Sequence, residues 1–132
     1  MAPKDAWVLG EDSGIEVDAL GGAPGVESAR WAEGGRQDFA LLERLAGETD
    51  RSARMIAHLV AIAPDGREVD AVGVLEGEVA TEARGTGGFG YDPVFIPERE
   101  TKTVAELGDD WKRANSHRAR AAEALRAAIG AS

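Results

Sequence analysis

The chain contains no cysteine. A disulfide framework, a thiolate nucleophile and a cysteine-ligated zinc are therefore excluded. No apolar run approaches the roughly 20 residues that a membrane-spanning helix needs, so no membrane partner is predicted. The opening residues Met1-Ala2-Pro3-Lys4-Asp5 lack the apolar core of a secretory signal, and the expected location is the cytoplasm. Positive charge is also short, with a formal net charge of −9. That argues against general binding to nucleic acid, which needs a basic footprint. A small anionic ligand held by a local basic cluster stays open. Internal repeats and low-complexity segments are missing as well.

What is there suits one domain. The length of 132 residues allows a single core, and 43% hydrophobic with 30% charged residues is an ordinary soluble balance. The pattern of segments predicts an α/β fold, with a twisted mixed sheet, flanking helices, an antiparallel hairpin lobe and a C-terminal helix.

The stretch around which the chain is organised is Thr86-Gly87-Gly88-Phe89-Gly90-Tyr91-Asp92-Pro93. Its glycines permit positive φ and close approach of a ligand to the backbone. Phe89 offers a flat apolar face, and Asp92 an acceptor or a metal contact. Pro93 stiffens the exit into Val94-Phe95-Ile96, which reads as a strand. A plain glycine-rich turn has the same local signature, so the octet gains meaning only from its company.

Upstream, Trp7-Val8-Leu9 reads as a buried strand that ends at Gly10, followed by Glu11-Asp12-Ser13-Gly14. Carboxylates at the end of a strand lie where open α/β sheets place ligands, and they suit Mg²⁺, a hard cation that carries substrate phosphates. A solvated acidic turn is the alternative. Ile15 to Leu20 alternates as a half-exposed strand, and Gly21-Gly22-Ala23-Pro24-Gly25 breaks the chain ahead of a short helical turn at Val26 to Trp31. Gln37 to Ala46 carries Phe39, Leu41, Leu42 and Leu45 at helical spacing, which predicts a core-packing helix. Arg54 to Ala63, the turn Pro64-Asp65-Gly66 and Glu68 to Leu75 predict a hairpin, with His58 packed inside it. Val104 to Leu107 reads as one helical turn. Ser116 is the expected N-cap of a helix from about His117 to Ile129, with Ala122, Leu125 and Ile129 inward.

Downstream, Lys112, Arg113, His117, Arg118 and Arg120 cluster within an acidic chain. Cations at the start of a helix oppose its dipole, whereas an anion there is favoured. A ligand would explain the placement, and a solvated basic face is the alternative. An acidic strand, a glycine-aromatic loop and a basic helix start together make a kit for a metal–nucleotide.

At these residues the chain resembles the inosine/xanthosine triphosphate pyrophosphatases. The resemblance is carried by Glu11-Asp12-Ser13-Gly14, by Val17 to Val26, by Ser28-Ala29-Arg30, by Gly85 to Phe95 and by Ser116-His117-Arg118, in order. It covers nearly everything from Trp7 onward. It implies hydrolysis of deaminated purine nucleoside triphosphates (ITP, dITP, XTP) to the monophosphate and pyrophosphate, with Mg²⁺. It further implies Asp12 as general base and metal contact, and Ser13 as a substrate contact. Phe89, Gly90, Tyr91 and Asp92 would hold the base, and Lys112, His117 and Arg118 would complete recognition of purine oxygen and phosphates. Glu11 stands where many relatives have Asp.

Family members begin with a strand, a Ser/Thr-Gly-Asn-x-x-Lys loop and a long helix, then a segment with a metal-binding Glu. None of these precedes Trp7, so the resemblance implies an N-terminally shortened domain with an exposed sheet edge. A homodimer or a completing chain is the expected partner. Alternatives to an active enzyme are a non-catalytic nucleotide-binding module and one part of a split enzyme.

Overall fold

The computed structural model describes residues 7–25, 28, 36–86, 88 and 90–130. Four strands form one sheet in the order β1 (Val8–Val17), β2 (Ser52–Ile62), β3 (Glu68–Val79) and β4 (Phe95–Pro97), every neighbouring pair antiparallel. The helices are α1 (Gln37–Arg44), α2 (Val104–Leu107), α3 (Asp109–Asn115) and α4 (His117–Gly130). The α/β class, the hairpin and the C-terminal helix agree with expectation.

Period-2 alternation builds the sheet. In β2, Ala53, Met55, Ala57, Leu59 and Ala61 are buried, while the residues between them are partly exposed. The buried face divides into two clusters. One joins Ile15, Val17, Met55 and Leu75 to Leu41 and Leu45 of α1 and its flank, and to Tyr91, Val94, Phe95 and Val104. The other seats Ala121 and Leu125 of α4 on Ala57, Leu59 and Ala61. Gly73 of β3 makes the helix contact close, because a methyl group there would run into the His117 carbonyl and the Ala121 amide. The first turn of α4 is thereby pressed directly on the sheet.

Helix ends follow their caps. The Ser116 hydroxyl accepts from the Ala119 amide at 3.1 Å, as expected of an N-cap. Thr103 and Glu106 form a reciprocal capping box on α2.

Five local expectations change. The acidic motif is no loop at a strand end: β1 runs unbroken from Val8 to Val17, each residue opposite one of β2. Pairing with a long neighbouring strand overrides the local turn signal of Gly10 and Gly14. Trp7, Val8 and Leu9 are exposed rather than buried, because among the described residues β1 is an edge strand with a neighbour on one side only. Phe39 is 53% exposed, whereas Leu41 and Leu45 of the same predicted face are buried as expected. His58 is not packed in the core. It lies on the open face of the sheet, where its Nε2 meets Asp70 Oδ2 at 3.0 Å. In α4 the most buried apolar positions are Ala121 and Leu125, with Ala122 and Ile129 at the margin. The turn expected at Val26 to Trp31 falls largely outside the described residues.

Candidate ligand-binding cleft

The alternation of β1 decides which side chains can meet. Ile15 and Val17 point into the core, so Ser13 and Glu11, two and four residues earlier, share their face. Helix α4 begins on that same face. Arg118 therefore reaches β1: its Nη2 donates to Ser13 Oγ at 3.2 Å, and its Nε lies 2.6 Å from Glu11 Oε1. From the other side, the Asp92–Val94 turn and α3 bring Asp92 and Lys112 together, Nζ to Oδ2, at 2.5 Å.

Between these walls lies a cleft of about 160 Å³. Ser13, Gly90, Tyr91, Asp92, Lys112, His117 and Arg118 all line it. Gly88 and Gly90 take φ of +75° and +60°, as a glycine-rich loop predicts. Phe89 and Arg30 lie outside the described residues. Gln37 and Met55 also line the cleft. No sequence signal marked them, since tertiary packing alone brings α1 and β2 here. The other two basic residues turn away. Arg113 pairs with Asp110 in solvent, and Arg120 donates to the Asn115 and Val74 carbonyls.

Asp12 is separated from this set. With Glu16 and His58 it lines a smaller cavity of about 110 Å³. Ser13 and Gly14 line both cavities, so β1 itself is the partition.

The electrostatics favour a polar, multiply bonding ligand over a bare anion. Both charged cations of the cleft have a carboxylate beside them, Lys112 with Asp92 and Arg118 with Glu11. His117 is buried, and its pKa is pushed down to about 4, first by burial and then by the Arg118 charge. It is thus a neutral imidazole at pH 7. Its buried Nδ1 meets no hydrogen-bond partner among the described residues. Burial, followed by the charge of Asp38, pushes the Tyr91 phenol up to about 12 and keeps it a donor. A set of donors around one acidic acceptor can read the edge of a heterocycle.

The His117 shift has a stability consequence. The unfolded chain takes up this proton near pH 6.5, while the native chain resists until about pH 4. Acid therefore favours unfolding. Stability is expected to fall by about 3 kcal/mol between pH 6.5 and 4 from this group alone. Denaturant titrations at pH 7 and pH 4.5 on the parent and on His117→Gln check this, since the variant should lose that part of the pH dependence.

Fold and cleft together define an α/β fold with a small polar cleft at the start of its C-terminal helix. The chain belongs to the Ham1 family, whose model matches residues 1–128. It is 50% identical over 117 residues to a dITP/XTP pyrophosphatase of Synechococcus sp., covering 87% of this chain and 57% of that protein. To the dITP/XTP pyrophosphatase of an Exiguobacterium species it is 48% identical, covering 92% and 64%. The solved Ham1 protein of Staphylococcus aureus superposes with a TM-score of 0.88 at 35% identity, over 96% of this chain and 68% of the other. The chain thus spans roughly three fifths of the length of the curated relatives it matches.

Proposed function

We propose that this chain, as a single domain, hydrolyses non-canonical purine nucleoside triphosphates such as ITP, dITP and XTP to the monophosphate and pyrophosphate. The observation that carries the reading is the cleft. It gathers Ser13, Gly90, Tyr91, Asp92, Lys112, His117 and Arg118 from three distant stretches around one polar cavity. The dITP/XTP pyrophosphatase names of the relatives agree with it.

In this reading the base enters the cleft, with Phe89 as a further base contact. Lys112, Arg118 and the Tyr91–Asp92 segment donate to and accept from its edge. A 6-oxo group satisfies donors that the 6-amino group of adenine would leave unpaired, and leaving buried donors unpaired is the strong form of discrimination. The phosphates then pass over β1 towards Asp12. Asp12 orients a water and takes its proton as the water oxygen bonds to the α-phosphorus. The bond from the α-phosphorus to the bridging oxygen breaks, and pyrophosphate leaves.

Among the described residues, no three His, Asp or Glu side chains converge on one point. Asp12 and Glu16 line one cavity, and Mg²⁺ keeps its waters and uses one or two carboxylates plus substrate phosphates. Asp12 would hold the ion, which when bound supplies positive charge to the reacting phosphate. We place the activity in the cytoplasm. Among the described residues the β1 edge at Val8 and Leu9, together with Ile62 of β2 and Val72 of β3, is uncovered, which supports association with a second copy or a completing chain.

The test is pyrophosphate release from ITP and ATP with and without Mg²⁺. Metal-dependent release from ITP, with ATP slower by about 10²-fold or more, is expected. Equal rates on both, or no release under any condition, would remove the reading as an active, selective enzyme.

A further inference from the structure

We propose that Ser28 is a positioning residue, a buried clamp that fixes the distance between β1 and Tyr91 and so the width of the cleft. Ser28 is 3% exposed. Its hydroxyl accepts from the Ile15 amide at 2.8 Å and donates to the Gly25 carbonyl at 2.6 Å. Its own carbonyl accepts from the Tyr91 hydroxyl at 2.8 Å. Ile15 stands two residues after Ser13, and Tyr91 immediately precedes Asp92. One side chain and one carbonyl thus join the cleft wall that carries Ser13 to the wall that carries Asp92 and Lys112.

The approach is close enough to demand glycine at position 14. A methyl there would run into the Gly25 carbonyl and the Ser28 hydroxyl. Apolar packing of Ile15 and Tyr91 within one cluster already holds these segments in the core. That attraction is non-directional, so it sets proximity and not orientation. The Ser28 bonds are directional and select one orientation of the Tyr91 ring, hence one placement of the following Asp92. Position 28 therefore acts on recognition through Tyr91, without touching the ligand's reacting atoms.

The ligand arm of the test rests on the reading under Proposed function, and a second arm does not. Tyr91 is the single tyrosine of the chain, so ring-labelled tyrosine gives one set of NMR signals without any ligand. In Ser28→Ala those signals should shift and average, and the Ile15 amide should exchange faster. Ser28→Thr, which keeps the hydroxyl, should restore both. In folded Ser28→Ala and Tyr91→Phe the dissociation constant for ITP should rise about tenfold, while kcat at saturation in Ser28→Ala changes by about twofold or less. Unmoved ring signals in Ser28→Ala would overturn the clamp. So would parental ITP affinity in both variants. If the parent binds no ITP, the proposed function falls and the ring signals with Ile15 exchange still decide the clamp. If Ser28→Ala does not fold, Tyr91→Phe decides the ligand arm.

Discussion

Asp12→Asn is expected to lower pyrophosphate release from ITP by about 10²- to 10⁴-fold, the usual contribution of a positioned general base. Asp12 is exposed on the open face of the sheet and lines only the smaller cavity. The substitution keeps size and removes the charge, so stability should stay within about 0.5 kcal/mol of the parent. Affinity for ITP measured without metal should not fall, because Asp12 lies across β1 from the cleft that holds the base, and losing its charge removes repulsion of the phosphates. The checks are steady-state rates, a thermal melt and metal-free calorimetry on one preparation. A rate within threefold of the parent would remove Asp12 from the chemistry. A collapse of stability would mean that its role is structural.

The second large effect concerns the pair behind the cleft. Asp92 is 4% exposed, and Lys112 is its cationic partner. Lys112→Ala leaves a buried carboxylate without that cation and is expected to cost about 3 kcal/mol. Lys112→Ala with Asp92→Asn removes the stranded charge as well, and should recover much of that loss. ITP binding should not recover, because the donor is still gone. Denaturant titration and calorimetry on the two variants separate the contributions. If the double variant binds ITP like the parent, Lys112 belongs to the fold and not to recognition.

The hairpin, α4 and its Ser116 cap were legible because each is a local rule: period-2 alternation, a Pro-Asp-Gly turn, and a serine before a helical run. The Thr103–Glu106 capping box carries an equally local signature, a threonine followed three residues later by a glutamate. The continuity of β1, by contrast, is non-local. Gly10 and Gly14 look like breaks, and only the ten-residue pairing with β2 keeps the chain extended through them.

The same non-locality explains the site. The residues of the cleft were named from motifs, yet no motif places Asp12 on one side of β1 and Ser13 on the other. That division follows from strand continuity and the two-residue period. Gln37 and Met55 reach the cleft through packing alone, and the buried bonds of Ser28 come from contacts 13 and 63 residues away in sequence. His58 shows the opposite failure. Its apolar neighbours suggested a packed residue, but its parity along β2 puts it on the open face beside Asp70.

The central claim is that the cleft reads the 6-position of a purine. Calorimetric titration of ITP against ATP, both without metal so that no turnover intervenes, tests it most directly. The account predicts at least about tenfold tighter binding of ITP, with the difference lost in Lys112→Ala/Asp92→Asn. Equal affinity for the two nucleotides, or a preference for ATP, would contradict it.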